Sequence, residues 1–280
     1  MYDYKALQVT VADGVAQVTI DHPPVNLLDT TLIGDLGHFI GTVRDDSSVR
    51  VIVFQSANPD FFLAHVDFEF MEHPERFAAL AGLVPGDGTL NPMQSLHLAL
   101  RSLPQLTIAK LRGRLRGGGN EFAMATDLRF AAAGQTWLSQ VESRIGIIPG
   151  GGGTQLLPRL TGRARALEVI LTGDLYDART AELYGWINRA VPPEELDATV
   201  DAVARTIAAR RPEQITAAKQ AVDGALLPDD LAAALGREGA ALAAVYPAPE
   251  EIVAKVARAV QAGAQSPDGE LDLENAIARA

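Results

Sequence analysis

The chain has no cysteine. That excludes structural disulfides, a thiolate nucleophile and any zinc or iron–sulfur site ligated by cysteine, and it is compatible with a reducing compartment. Long apolar runs are missing too: none approaches the roughly 20 residues that a membrane-spanning helix needs. The opening MYDYKALQVTVADG has neither a basic start nor an apolar stretch of signal-peptide type. A cytoplasmic protein with no membrane partner is therefore expected. Positive charge is in deficit, with a formal net charge of −11, so non-specific binding along nucleic acid is not expected. An anionic small ligand would need a local basic cluster. The densest is Lys110, Arg112, Arg114 and Arg116, which reads equally as a solvated strand edge or loop. His22, His38, His73 and His97 lack ligand spacing, His38 and His97 read as ordinary helix residues, and no metal site is expected.

What is present suits a packed enzyme-sized unit. Of the 280 residues 48% are hydrophobic and 21% charged, which fits one large domain, or one domain with an appendage, around a substantial core. Leu7–Val11 and Val15–Ile20 alternate about Asp13-Gly14 and predict a hairpin. A helix is expected from Thr31 to about Arg44, capped by Asp29 or Thr30. Val49–Gln55 is short, β-branched and apolar, the pattern of a buried parallel strand. Further strands are expected at Leu106–Leu111 and Leu128–Ala132, alternating with helices, which favours an α/β fold with a parallel sheet. Beyond Glu195 alanine-rich helices follow over Glu195–Arg211, Pro212–Gly224, Leu231–Val245 and Pro249–Ala262. Next come a Ser-Pro-Asp-Gly turn and a terminal helix, Leu273–Ala280. The expected division is residues 1–195 as an α/β core and 196–280 as a helical region, whose alanine-rich faces suit close contacts with neighbouring subunits or with the core.

The central stretch, Thr107 to Gln155, carries two glycine clusters, Gly117-Gly118-Gly119 and Gly150 to Gly153, and two glutamates, Glu121 and Glu142. The first cluster fits a strand entering a helix with its backbone pressed against something. It reads either as a tight packing turn or as a site where free N–H groups at a helix start hold an oxygen that gains negative charge.

The order of several segments resembles the crotonase superfamily, also called the enoyl-CoA hydratase/isomerase family, over about Val15 to Leu196. The segments are Pro24-Val25-Asn26-Leu27-Leu28, Ala64-His65-Val66-Asp67, Gly117 to Glu121 with Ala125 to Arg129, Gly146-Ile147-Ile148-Pro149 before Gly150–Thr154, Leu171-Thr172-Gly173, and Gly185-Trp186-Ile187-Asn188. The resemblance implies a crotonase-like α/β spiral of ββα units with a helical C-terminal region, residues 196–280, that serves trimerisation or as a lid, the whole assembled as a homotrimer or dimer of trimers. It implies an acyl-CoA thioester as substrate, coenzyme A entering as part of it, and no permanently bound cofactor. The backbone N–H groups of Val66 and Gly118 would form the oxyanion hole. Glu121 would act mainly as base on water and Glu142 mainly as proton donor to C2, giving hydration of a 2-enoyl-CoA. Other CoA-thioester reactions on the same scaffold (isomerase, hydrolase or C–C lyase), or a noncatalytic binding subunit, are the alternatives. Ala64, His65, Asp67, Arg116, Gly117, Arg144 and Lys255 are candidates for contacting substrate or CoA, with Arg258 a further candidate for phosphate.

Several positions depart from the family pattern. His65 stands where glycine is usual, and either narrows the thioester channel, donates a hydrogen bond or is packed. Arg116 and Arg144 stand in commonly apolar positions, to meet phosphate, an acidic acyl group or a buried acid. Asp67 reads better as a helix cap than as a chemical group. Phe61, Phe62, Phe68, Phe70 and Phe77 line an acyl pocket or belong to the core.

Overall fold

Asp13 and Gly14 both take positive φ, 52° and 81°, the conformation of a two-residue turn whose twist matches the strands it joins. The computed structural model, which describes residues 2–226, 231–243 and 246–280, accordingly begins with a hairpin of β1 (Leu7–Ala12) and β2 (Val15–Ile20). The remaining strands are β3 (Val51–Ser56), β4 (Phe61–Leu63), β5 (Leu106–Arg116), β6 (Leu128–Ser139), β7 (Tyr176–Asp177) and β8 (Arg189–Val191). They form one sheet in the order β1-β2-β3-β5-β6-β7, with β4 beside β5 and β8 beside β6. All pairs are parallel except β1 with β2 and β6 with β7. The helices are α1 (Thr30–Val43), α2 (Glu69–Glu72), α3 (Pro74–Ala79), α4 (Pro92–Arg101), α5 (Gly118–Ala125), α6 (Gly153–Thr161) and α7 (Arg163–Thr172), then α8 (Ala178–Tyr184), α9 (Leu196–Ala208), α10 (Pro212–Leu226), α11 (Leu231–Ala243), α12 (Glu250–Gln261), α13 (Pro267–Leu271) and α14 (Leu273–Arg279). Asp29, not Thr30, caps α1, accepting the Leu32 N–H at 2.9 Å.

Both faces of the parallel sheet are covered, which is why β3 reads as an unbroken apolar run. On one face Phe39 of α1, Phe54 of β3 and Phe122 of α5 meet edge to face. On the other, Leu196, Val200, Ala204 and Ala208 of α9 pack on Val51, Val53, Ile108 and Phe130. The basic alternation of β5 is absorbed by this packing. Lys110 and Arg112 pair with Asp197 of α9 at 2.8 and 3.3 Å, and Arg114 lies over the Trp137 ring.

Strand β5 extends past its expected end because it changes partners. Leu106–Ala109 pairs with β3, while Arg114 and Leu115 pair with β4. The switch falls at Gly113, where φ is +74° and the register with β6 shifts, as at a bulge built on glycine. The bend carries the end of β5 to the cavity described below. Strand β6 likewise continues through Gly134, at φ +72°.

The C-terminal helices return to the middle of the chain. Val256 and Ala259 of α12 and Leu273 and Ile277 of α14 share a cluster with Phe68 and Ile145. The Ser-Pro-Asp-Gly segment, expected as a turn, starts α13 instead. Ser266 caps it by accepting the Gly269 N–H at 3.1 Å, and Pro267 occupies the first helical position, where its missing N–H is harmless. The helix expected over Leu231–Val245 is present over Leu231–Ala243, and residues 244 and 245 lie outside the described residues.

A Cβ at Gly113 would collide with the main chain of Asp60, whereas one at Gly134 would meet nothing within 4 Å. Gly134→Ala is therefore expected to cost about 1 kcal/mol, the penalty of the left-handed backbone alone. Gly113→Ala should cost at least about twice that. Guanidinium denaturation of the two variants measures the difference, and equal losses would refute the partner-switch explanation.

Candidate active site

The end of β5, the N-terminus of α5 and the turn after β4 meet at one cavity of about 580 Å³. The turn is held by Leu28. The Leu28 N–H donates to the His65 carbonyl at 2.9 Å, and the Asp67 N–H donates to the Leu28 carbonyl at 3.1 Å. In a trans peptide the C=O and N–H point opposite ways. With the His65 carbonyl turned to Leu28, the Val66 N–H on the same plane faces the other side, and Val66 lines the cavity. Gly117, at φ 49° and ψ −123°, precedes α5. The first N–H to find a helical acceptor is that of Glu121, on Gly117, so the Gly118 N–H starts the helix with no carbonyl of its own helix to bond. A Cβ on Gly118 would collide with the Val66 side chain, so the two residues are in immediate contact.

Both sequence-predicted glutamates line this cavity. Glu121 is 2% exposed and Glu142 8%. One Glu121 oxygen accepts the Gly151 N–H at 3.0 Å and the Gly153 N–H at 2.7 Å. The second glycine cluster is thus a main-chain cradle for a carboxylate, and a Cβ on Gly151 would strike the other Glu121 oxygen. Gln140 donates to both oxygens of Glu142 at 3.3 Å, and Asn120 of α5 in turn donates to the Gln140 carbonyl oxygen. His97 sits behind the cradle. Burial pushes its pKa down to about 4, so the neutral ring uses Nδ1–H to donate to the Gly151 carbonyl at 2.5 Å. Sequence reasoning took His97 for an ordinary helix residue and gave Gln140, Gly151 and Gly153 no role. Their partners lie too far along the chain for any local signal.

The remaining candidates divide. His65, Asp67 and Gly117 line the cavity; Ala64, Arg116, Arg144 and Lys255 do not. Ala64 is buried beside Val25 and Phe61. Arg116, fully buried, pairs with Glu270 at 3.3 Å and Glu274 at 2.9 Å, which takes its guanidinium away from a phosphate role. Arg144 pairs with Asp174 and donates to the Gly173 carbonyl at 2.9 Å. Lys255 is half-buried on α12, and Arg258, exposed, donates to the Ala280 carbonyl oxygen at 2.9 Å. Asp67 accepts the Glu69 N–H at 3.0 Å but stands one residue ahead of the N-cap position of α2, which Phe68 occupies, so it is not the cap that the sequence suggests. Of the phenylalanines, Phe68, Phe70 and Phe77 line the cavity, while Phe61 and Phe62 are core residues of β4. Met71, Ile145, Ile147, Leu242 and Tyr246 add to an apolar wall that an acyl chain would fit.

Residues 10–246 match the family model described as enoyl-CoA hydratase/isomerase. The chain is 32% identical over 231 residues to the bovine (Bos taurus) mitochondrial enoyl-CoA hydratase domain-containing protein 2, covering 81% of this chain and 75% of that one. It is 30% identical over 210 residues to a short-chain-enoyl-CoA hydratase of Clostridium acetobutylicum, covering 75% and 77%. A crystal structure from Streptomyces avermitilis, provisionally assigned as an enoyl-CoA hydratase, superposes with a TM-score of 0.90 at 47% identity over 99% of this chain and 100% of that one. The fold, the glycine junction and these likenesses agree, and the chain belongs to the enoyl-CoA hydratase/isomerase family.

Proposed function

We propose that the protein adds water across the 2,3 double bond of a 2-enoyl-CoA thioester, and catalyses the reverse dehydration. The observation that carries this reading is that two buried glutamates and two main-chain N–H-bearing residues, Val66 and Gly118, line one largely apolar cavity. The thioester oxygen accepts from the Val66 and Gly118 amides. Glu121 takes a proton from water as the water oxygen bonds to C3, and the electron pair of the double bond moves onto the thioester as an enolate. Glu142 then delivers a proton to C2, so that one water is added in total. The amides stabilise the enolate more than the neutral carbonyl, which lowers the barrier instead of merely tightening binding. The cradle of Gly151 and Gly153 occupies one Glu121 oxygen and fixes the direction of the other. An apolar wall excludes bulk water and strengthens each of these interactions. Coenzyme A enters only as part of the substrate, and the reaction needs no bound cofactor. Assembly as a homotrimer or dimer of trimers belongs to the same reading, supported by the exposed apolar side chains of Leu171 and Leu183, 66% and 74% accessible.

Mixing the protein with crotonyl-CoA is expected to bleach the enoyl thioester absorbance. Glu121→Gln and Glu142→Gln should each lower kcat about 10²- to 10⁴-fold, the range for losing one general acid or base. A wild-type protein inert on short, long and aromatic enoyl-CoAs would overturn the assignment. Conversion of a 3-enoyl-CoA to its 2-enoyl isomer without hydration would favour the isomerase reading.

Gly151→Ala tests the cradle separately. Its methyl group displaces the Glu121 carboxylate, so kcat should fall about 100-fold while thioester affinity, measured by calorimetry, stays near wild type. Unchanged kcat would show that the glycine serves only the chain's path.

A further inference from the structure

Two of the residues that depart from the family pattern, His65 and Arg116, turn out to share one partner. Glu270 of α13, 0% exposed, places Oε1 at 2.6 Å from His65 Nε2 and Oε2 at 3.3 Å from Arg116 Nη1. Arg116 Nη2 also donates to the Glu270 carbonyl at 2.8 Å, and its Nε to Glu274 at 2.9 Å. His65 immediately precedes Val66, and Arg116 immediately precedes Gly117-Gly118. One carboxylate from the far end of the chain therefore grips both sides of the junction from which the two amides project.

The histidine contact is informative about protonation. His65 Nδ1 lies 2.9 Å from the Val66 carbonyl oxygen, which can only accept. Nε2 faces a carboxylate that also receives a guanidinium. Both ring nitrogens therefore carry hydrogen, and the ring is an imidazolium, stacked on Phe68 at 4.3 Å between centroids. Burial opposes that charge and Arg116 repels it, but the charge and hydrogen bond of Glu270, with the Val66 carbonyl, outweigh them and raise the His65 pKa. The Val66 carbonyl lies on the peptide plane whose N–H is held by Leu28, so His65 locks the second plane flanking Val66.

The geometry points to Glu270 as the positioning residue of the oxyanion hole: through a doubly protonated His65 it fixes the Val66 turn, and through Arg116 it fixes the entry to Gly118. This rests on the oxyanion role proposed above for those two amides. Glu270 touches no reacting atom, and its effect is on where the thioester oxygen is held and how strongly it is polarised.

The test compares wild type with Glu270→Gln, which keeps the side chain's shape and removes its charge. Two quantities are read: hydration kinetics, and the infrared carbonyl stretch of a bound saturated acyl-CoA carrying ¹³C at the thioester carbon. Wild type should shift the stretch to lower frequency than the free thioester. Glu270→Gln should lose most of that shift and about 10- to 100-fold in kcat, with KM within about threefold. A wild-type shift and kcat in the variant, or a loss confined to KM or to thermal stability, would overturn the proposal. Should the variant not fold, ¹⁵N NMR of the unaltered protein decides: a His65 ring protonated on both nitrogens at neutral pH is expected, and a neutral ring overturns it. A wild-type protein that binds the thioester with no carbonyl shift would instead sink the oxyanion reading, which keeps the two failures apart.

Discussion

Between β5 and α5 the chain passes three successive positions at which a side chain has nowhere to go. A Cβ on Gly117 would sit 2.9 Å from a Glu142 oxygen, one on Gly118 would run into Val66, and one on Gly119 would run into the Leu63 carbonyl. Because the backbone itself touches these neighbours, α5 begins directly beside the Val66 turn. The close approach also sets the reach of Glu121, one turn along α5, so that its carboxylate meets the amides of Gly151 and Gly153. Sheet order, strand bend and helix start all serve to bring bare main chain to one place.

The structure contains at least three well-buried glutamates, and their surroundings differ. Glu270 faces the Arg116 guanidinium and the His65 ring, which together fix the direction of its carboxylate. Glu121 is oriented by main-chain N–H groups and Glu142 by the Gln140 amide, donors that do not exchange protons with it. A carboxylate held that way keeps its orientation and can still pass a proton to whatever enters the cavity. Burial alone does not distinguish the three carboxylates; the donors around them do.

Elements dominated by local signals were legible from the sequence. The Asp13-Gly14 hairpin, the start of α1 to within a residue and the apolar run of β3 each follow from a few adjacent residues. The ends of β5 and β6 were not, because Gly113 and Gly134 interrupt the pattern while the strands continue through them. Ser266 to Gly269 reads as a turn by composition yet opens a helix, since the serine and proline that break one element also start another. Within the site, the glutamates and glycines were legible as a set only through the resemblance. His97 was not, because its acceptor is a carbonyl contributed by a distant glycine loop. His65 and Arg116 were visible as departures from the family, but their shared acid lies more than 150 residues further on.

That separation in sequence bears on how the molecule is made. The ribosome releases Glu270 more than 150 residues after Arg116, long after the sheet and the β5–α5 junction have emerged. Until α13 docks, Arg116 and His65 lie in a half-formed interior without their counter-ion, a state that is unfavourable for a charge removed from water. Completion of the candidate site is thereby tied to the docking of α13, and a product that terminates before Glu270 would carry both central glycine clusters and both cavity glutamates yet lack the acid that joins their two supports.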